Sequence, residues 1–331
     1  MRHHSILRLA AAFVAAAGLG ANAVAADFTM RLPHQFPPGH HSAKNLELFA
    51  ADVKAATNGR VEVQTFGSAQ LFKPNQVHAA VASGKVEAAS VTGFTLGGAI
   101  PELNVTLIPY YMTSLEKMQK FPQSDVSRFL DAKLAEKGLK NLGWMVDASD
   151  GIFTSAKTPL VKPDDFKGVK IRGLSKLFDV GLAAMGAAPS AMPGSEVYQA
   201  LQTGVIDAGF TGVAAASERK FYEVQKFGVA SNIILAHDIL FVNPEWWGKL
   251  PPEVRTAIEG AARKAELRSI PKAADISPDD VKALRDKGMT VTVLTPAQEK
   301  AMADAMQPAV MKSFLAASPD AAKVIELANK L

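Results

Sequence analysis

The sequence contains no cysteine among its 331 residues, and this absence excludes two devices. The chain cannot form disulfide bonds, so its stability must come from a conventional hydrophobic core. An exported bacterial protein that is anchored through a lipid needs a cysteine at the cleavage site of its leader. We therefore expect this protein to be free in its compartment.

The chain also lacks a strong charge of either sign. The sequence has 36 lysine and arginine residues against 32 aspartate and glutamate residues, a formal net charge of +4, and the two signs are interspersed. Nothing in this balance resembles a nucleic-acid surface, so no nucleic-acid partner is predicted. After residue 26 no segment approaches about 18 consecutive apolar residues, and we expect a soluble mature protein.

The first 26 residues have the pattern of a cleavable export signal. Arg2 and Arg8 give a basic start, and the apolar run over residues 9–20 is too short to span a membrane. Ala23-Val24-Ala25 fits the small-x-small cleavage rule. These features predict export to the periplasm, loss of two positive charges on cleavage, and a mature chain long enough for two domains.

Two segments of the chain share one plan, and this echo is the most informative pattern in the sequence. Residues 77–89 and 197–209 each read as a short helix, a glycine stop and a strand. Four aligned positions are identical: Val77/Val197, Ala80/Ala200, Gly84/Gly204 and Ala88/Ala208. Two copies of one unit predict two similar lobes with a small-molecule cleft between them. Chance similarity between two helix–glycine–strand units is the alternative.

The order of elements predicts an α/β fold. A strand at Phe28–Leu32, a helix at Ser42–Thr57, a strand at residues 61–65, a helix at Pro74–Gly84 and a strand at Val86–Thr92 give β-α-β-α-β order. That order implies a parallel sheet with right-handed crossovers.

The last third of the sequence is mostly helical, and no low-complexity linker divides the chain. A long amphipathic helix is predicted from Pro252 to about Ile270. The absence of a linker indicates lobes joined by crossing strands. We predict lobe I at residues 27–149 plus 237–276 and lobe II at residues 150–236 plus 278–331.

The sequence offers no assembled catalytic or metal site. A Gly-x-Ser-x-Gly elbow, a His-Glu-x-x-His pair and a Walker loop are all absent. His34, His40 and His41 lie in one loop, without ligands of matching spacing elsewhere, so no metal ligand is predicted. A secreted α/β hydrolase stays as an alternative, but it would need a nucleophile, a base and an oxyanion site that we cannot assemble.

Arg172 is the strongest single candidate for ligand binding. It follows Val169 and Ile171 and so lies near the carboxyl end of a short strand, where open α/β sheets meet their ligands. Its planar fork matches a carboxylate with two parallel hydrogen bonds. The alternative is a surface ion pair with Asp179 or Glu196.

Several motifs in order resemble the solute-binding subunits of TRAP transporters (tripartite ATP-independent periplasmic transporters) of the DctP type. The similarity extends over nearly all of the chain after the leader. It is carried by residues 58–61, 68–71, 166–172, 185–189, 193–207, 220–226 and 242–251.

The resemblance implies a two-lobed periplasmic binding protein, with mainly parallel sheets flanked by helices and with crossing strands and a long helix linking the lobes. Such a protein is not an enzyme and needs no cofactor. It closes on a small organic acid, whose carboxylate the arginine matching Arg172 grips, and delivers the acid to membrane permease subunits. We expect a monomer. A binder that serves an ABC importer or a sensor kinase is the remaining alternative.

Three positions depart from the pattern of that family. Thr211 stands where an asparagine is usual, Ile152 where a second arginine is common, and Gly194 where an aromatic residue is frequent. These departures suggest a ligand unlike the commonest acidic sugars or keto acids, and they argue against metal-assisted binding.

Further candidate ligand contacts come from the ends of predicted strands and from nearby loops. They are Gln35, Thr92 and Phe94 from lobe I, and Phe153, Met192, Phe210 and Thr211 from lobe II. The apolar members favour a small carboxylate with few polar groups. The alternative for each is that it only packs the hinge.

Overall fold

The computed structural model describes residues 26–270 and 276–331, so the predicted leader lies outside the described residues except for Ala26. The strands are β1 (Phe28–Pro33), β2 (Val61–Phe66), β3 (Ala88–Thr92), β4 (Lys140–Ala148), β5 (Gly151–Ser155), β6 (Lys170–Gly173), β7 (Ala188–Ala191), β8 (Ala208–Thr211), β9 (Phe227–Ser231), β10 (Ala236–Val242) and β11 (Thr290–Val293). The helices are α1 (His41–Ala56), α2 (Val77–Ala82), α3 (Leu115–Lys120), α4 (Asp125–Ala135), α5 (Lys176–Ala184), α6 (Gly194–Gln202), α7 (Val213–Glu218), α8 (Pro244–Gly248), α9 (Pro252–Ser269), α10 (Pro278–Asp286), α11 (Pro296–Ala317) and α12 (Ala321–Asn329). No helix in these described ranges is both long enough and apolar enough to cross a membrane.

The first half of the fold contains a parallel strand pair that is extended by antiparallel strands. β1 pairs in parallel with β2, and a parallel bridge between His34 and Ser90 connects the end of β1 to β3. β10 lies between β3 and β4 and runs antiparallel to both. The predicted parallel β-α-β-α-β unit is thus present, with β1 between β2 and β3, and a strand that returns from much later in the sequence extends it beyond β3.

The second half of the fold is a six-stranded sheet in the order β11-β9-β5-β8-β6-β7. β5 runs antiparallel to β8 and β9, whereas the other pairs are parallel. The chain crosses between the sheets where β4 leads directly into β5 and where β9 leads into β10. The predicted crossing strands thus correspond to two short connections between the same pair of sheets.

The repeated unit seen in the sequence folds the same way twice. Helix α2 ends before Gly84, which has φ +70°, and β3 follows; α6 ends before Gly204, which has φ +72°, and β8 follows. A positive φ of this size is the left-handed region that favours glycine. The two glycines are therefore the helix stops that the pattern predicted.

Helix α9 closes the core of the first half. It begins at Pro252 and ends at Ser269, close to the predicted bounds, and its alanine-rich face packs on α1 and β4. Its buried residues Ala261, Ala262 and Ala265 belong to one hydrophobic cluster with Leu46 and Phe49 of α1. Small side chains on this face allow the helix to lie close to the sheet.

The last two helices join the halves and modify the predicted lobe boundary. Helix α11 packs on α5, and α12 packs on α4. Ala321, Val324 and Ala328 of α12 share a cluster with Leu130 and Leu134 of α4, because these alanines and the valine form the apolar face of α12. Residues 318–331, which the sequence assigned to lobe II, therefore pack on the lobe I side. The division into lobes stays a proposal with that change, and residues 271–275 lie outside the described part.

A glycine that ends a helix and a glycine inside a helix together give a test of the helix stop. Replacing Gly204 by alanine should lower the free energy of unfolding by about 1 kcal/mol, because an alanine at φ +72° is strained although no atom lies within 4 Å of the new Cβ. The matched control is Gly260→Ala inside α9, where a Cβ also meets no atom within 4 Å and helix propensity should add about 0.5–1 kcal/mol. Urea unfolding of both variants measures the difference, and a shift of equal sign in the two would contradict the assignment.

Candidate ligand-binding site

A narrow cavity lies where the echo strands β3 and β8 end. Its free volume is about 20 Å³, room for about one water molecule. A wider cleft of about 640 Å³ shares Asp147, Ala148 and Gly212 with it. The cavity is lined by Gln35, Thr92, Phe94, Asp147, Ala148, Arg172, Leu174, Gly194, Phe210, Thr211, Gly212, Arg219, Ile234 and Ala236.

Arg172 is buried at the wall of this cavity, with 2% of its surface exposed. Its Nε and Nη2 donate to the carbonyl oxygen of Met192 at 3.2 and 3.1 Å, and its Nη1 donates to that of Phe210 at 2.5 Å. The guanidinium also lies 5.7 Å from the centre of the Phe94 ring. These bonds hold the group in place and leave two of the five donors of an arginine uncommitted.

A second arginine, Arg219, lies in the same cavity, at the end of α7. Its Nη1 donates to Thr211 Oγ1 at 2.9 Å, and its Nη2 lies 3.3 Å from His40 Nε2. Its Nε is buried and has no hydrogen-bond partner among the described residues. Sequence reasoning missed Arg219, which is adjacent to no motif that indicates a strand end.

The sequence did contain a signal for Arg219 in the glycine at position 194. A Cβ placed on Gly194 would lie 2.8 Å from Cζ of Arg219, so the guanidinium rests against the bare backbone of that glycine. A larger residue there, such as the aromatic that is frequent in the resembling family, would occupy the space that the guanidinium fills. The glycine at position 194 thus makes room for the guanidinium of Arg219.

Neither guanidinium has a carboxylate counter-charge in contact. Over residues 26–270 and 276–331, no carboxylate oxygen lies within 4.0 Å of either group. Burial and the charge of Arg219 lower the pKa of Arg172 to about 9, and burial lowers the pKa of Arg219. Both remain cationic at neutral pH. Because an unpaired buried charge is costly, the cavity is suited to an anion.

Asp179, one of the two acids whose charge acts on Arg172, is a weak counter-charge. Asp179 packs against Gly173, the residue that follows Arg172, and burial raises the pKa of its carboxyl to about 6. It lies beyond ion-pair distance of the guanidinium. The surface pairing with Asp179 that the sequence left open is therefore replaced by bonds to backbone carbonyls.

The opposite wall of the cavity carries a chain of polar side chains. Gln35 Nε2 donates to Thr92 Oγ1 at 2.6 Å, and Thr92 Oγ1 donates to Asp238 Oδ1 at 2.8 Å. Burial and the neighbouring charge of Asp147 raise the pKa of Asp238 well above its ordinary value. Gln35 Oε1 is buried without a hydrogen-bond partner in the described part of the chain, so it is free to accept a bond from a ligand.

Of the eight predicted contact residues, six line the cavity. Gln35, Thr92, Phe94, Arg172, Phe210 and Thr211 are brought together there.

The other two predicted residues, Met192 and Phe153, have different positions. Met192 contributes its carbonyl oxygen to Arg172. Phe153 does not line the cavity: it is 1% exposed and packs on Phe166 and Phe210. The reason is that β5, which the sequence did not reveal, is a central strand covered on both faces.

Histidines and acids meet beside the cavity, although the sequence offered no partners for the histidine loop. His40 and His41 lie near Asp147 and Glu218, and possible ligand atoms of His40, His41 and Asp147 lie within 4.8 Å of one another. Both ring nitrogens of His41 are engaged, Nδ1 with Glu218 at 3.2 Å and Nε2 with the Asp147 carbonyl at 2.9 Å. Because the cationic Arg219 faces His40 Nε2, a metal ion there would be repelled. We interpret the cluster as a contact between α1 and α7.

Comparisons with known proteins give one consistent family. The family model for DctP, described as "Bacterial extracellular solute-binding protein, family 7", matches residues 32–317. The C4-dicarboxylate-binding periplasmic protein DctP of Rhodobacter capsulatus is 32% identical over 286 residues, which cover 86% of this chain and 85% of that protein.

Solved structures agree with the sequence comparison. A TRAP periplasmic solute-binding protein from Desulfovibrio salexigens with bound orotic acid is 29% identical and has a TM-score of 0.84, covering 91% of this chain and 97% of that one. A TRAP periplasmic solute-binding protein from Sulfurospirillum deleyianum with bound succinate is 26% identical with a TM-score of 0.83, covering 91% and 99%. The α/β architecture of this chain is thus that of two-lobed binding proteins.

The contact between α1 and α7 predicts a pH-dependent stability. Burial alone would lower the pKa of His41, but Glu218 and Asp147 raise it from 6.5 to about 9. Since the pKa in the folded state is the higher one, protonated His41 stabilises the fold fully below about pH 6.5, and this contribution is lost as the pH rises towards 9.

The measurement is thermal unfolding of wild-type protein and the His41→Gln variant between pH 6 and 9. The difference in melting temperature should be largest near pH 6 and should shrink towards pH 9. His78→Gln, on α2 and outside the cluster, is the control. A difference that stays constant with pH would show that His41 acts by packing alone.

Proposed function

The chain belongs to the DctP family of bacterial extracellular solute-binding proteins, and from this membership we propose that it captures a small organic carboxylate between its two lobes. The observation that carries the proposal is the buried guanidinium of Arg172, which has no carboxylate in contact among the described residues and keeps two donors uncommitted. A ligand carboxylate would supply the negative charge that no described residue places in contact with Arg172.

The physical basis is that the ligand carboxylate exchanges its hydrogen bonds to water for hydrogen bonds to the fixed guanidinium of Arg172. A carboxylate that enters the cavity loses its hydration, and two charge-assisted hydrogen bonds from Arg172 compensate for that loss. The carbonyls of Met192 and Phe210 hold the guanidinium before the ligand arrives, so little side-chain freedom is lost on binding. Gln35 and Thr92 offer neutral polar contacts on the other side.

Capture requires the lobes to separate and close again. The cavity has about 20 Å³ of free volume in this conformation, which is less than any organic acid occupies. A ligand that contacts Thr92 on one side and Arg172 on the other stabilises the closed form and shifts the balance towards it. In this proposal the contact between His41 and Glu218 is one that forms on closure.

The proposed compartment and partner follow from the family. Similar proteins carry names such as "2,3-diketo-L-gulonate-binding periplasmic protein YiaO" of Escherichia coli, which is 25% identical over 276 residues. We place this protein in the periplasm after removal of its leader, as a monomer without catalytic activity or cofactor. It delivers its ligand to the membrane permease subunits of a TRAP transporter.

A binder for an ABC importer or a sensor kinase would use the same cleft. Neighbouring genes that encode one small and one large membrane subunit would favour the TRAP system. Their absence would favour one of the alternatives.

Arg172 gives the direct test of carboxylate capture. Arg172→Ala should cost about 2–5 kcal/mol of binding free energy, because it removes one member of a buried charge pair. Arg172→Lys should rescue binding poorly, since an ammonium lacks the planar fork. The measurement is a thermal-shift screen of small carboxylates followed by titration calorimetry, in which ligand at about 100 times its dissociation constant adds about 2.7 kcal/mol of stability.

Arg128→Ala is the matched control, because Arg128 is exposed on α4 and, within the described part of the chain, pairs only with Asp125 and the Gln123 carbonyl. It should bind like the wild type. Unchanged affinity in Arg172→Ala would remove Arg172 from the site, and a screen that finds only uncharged ligands would overturn carboxylate capture.

A further inference from the structure

Two guanidinium groups line the same small cavity, and each donates a hydrogen bond to one of two consecutive residues of β8. Arg172 donates to the carbonyl oxygen of Phe210, and Arg219 donates to the hydroxyl of Thr211. Since the α-carbons of consecutive residues are about 3.8 Å apart, both groups lie within reach of one short molecule. The pair comes from different elements, β6 and α7, so it is not a consequence of local sequence.

The two positive charges are close enough to disfavour one another. The charge of Arg219 is one of the causes that lower the pKa of Arg172. The charges of Asp147, Glu218 and Asp238 oppose the lowering of the Arg219 pKa by burial, but none of these acids forms an ion pair with Arg219 among the described residues. Glu218 accepts from the backbone and ring of His41, and Asp147 accepts from Ser42 and faces His41. The wall of the cavity thus carries two cationic forks.

We propose that Arg219 is a second acid-binding residue, held in the cavity by the absence of a side chain at Gly194, and that it selects ligands that carry two carboxylate groups. This inference rests on the proposed function, because Arg172 takes the first carboxylate. Arg219 takes the second through its unpartnered Nε and an adjacent Nη donor. Arg219 supplies this second charge from the end of α7.

The proposal distinguishes between the ligands named for similar proteins. Orotic acid, bound by the protein from Desulfovibrio salexigens, carries one carboxylate, and succinate, bound by the protein from Sulfurospirillum deleyianum, carries two. With a single arginine in the cavity the two kinds would be separated only by shape. With two arginines in the cavity, a ligand with one carboxylate leaves the second guanidinium without a counter-charge in contact once water is displaced, which is costly.

The test compares each dicarboxylate with its own half-amide. Malonate, succinate and glutarate are titrated into wild-type protein against malonamate, succinamate and glutaramate, which have nearly the same shape and one charge fewer. The best dicarboxylate should bind about 10- to 100-fold more tightly than its half-amide. Arg219→Gln should abolish this ratio and leave the affinity for the half-amide within about threefold of the wild type.

A second variant moves the guanidinium without removing its charge from the chain. Gly194→Ala places a Cβ 2.8 Å from Cζ of Arg219, and the flexible end of that side chain must shift away. Its loss of dicarboxylate affinity should match that of Arg219→Gln. Because this substitution is small and leaves Arg219 in the sequence, it keeps the test informative if Arg219→Gln folds poorly.

The outcomes separate this inference from the proposed function. Dicarboxylate affinity that is unchanged in both variants, or wild-type protein that binds half-amides as tightly as dicarboxylates, overturns the second acid site and leaves the role of Arg172 intact. Wild-type protein that binds no carboxylate at all overturns the proposed function itself.

Discussion

The burial of a guanidinium without a carboxylate is the constraint on which this structure depends. Arg172 is almost entirely removed from solvent, and its only direct polar partners among the described residues are the carbonyls of Met192 and Phe210. Carbonyl dipoles orient a cation but leave its net charge uncompensated. The polar side chains Gln35 and Thr92 of the opposite wall are neutral, and Asp147, which also lines the cavity, makes no ion pair with Arg172, so the charge stays available for an anion that enters from outside.

The sheet topology explains why this cation faces the other half of the fold. β6 lies beside β8, so the arginine near the end of one strand reaches a carbonyl at the end of the next. Thr92 lies at the end of β3, which is the strand of the first echo unit, as β8 is the strand of the second. Because β4 passes directly into β5 and β9 into β10, the two sheets are held with these strand ends towards one cavity.

Local patterns predicted the parts of the fold that local physics determines. The glycine stops, the bounds of α9 and the strand-end position of Arg172 follow from helix periodicity, φ requirements and strand polarity. β5 and β10 escaped prediction, since buried antiparallel strands look like any apolar run. The contact between His41 and Glu218 joins residues 177 apart in sequence and had no local signal.

Arg219 shows how a departure at one position can be explained only by a residue elsewhere. Read singly, isoleucine at 152, glycine at 194 and threonine at 211 are losses of polar or aromatic contacts. In the fold, Ile152 is core, Gly194 makes room for Arg219, and Thr211 accepts a bond from it. The second positive charge of the cavity therefore comes from the end of a short helix. A ligand interacts with a charge according to the position of that charge in space. The pocket can therefore contain two cations although positions 152, 194 and 211 differ from the family pattern.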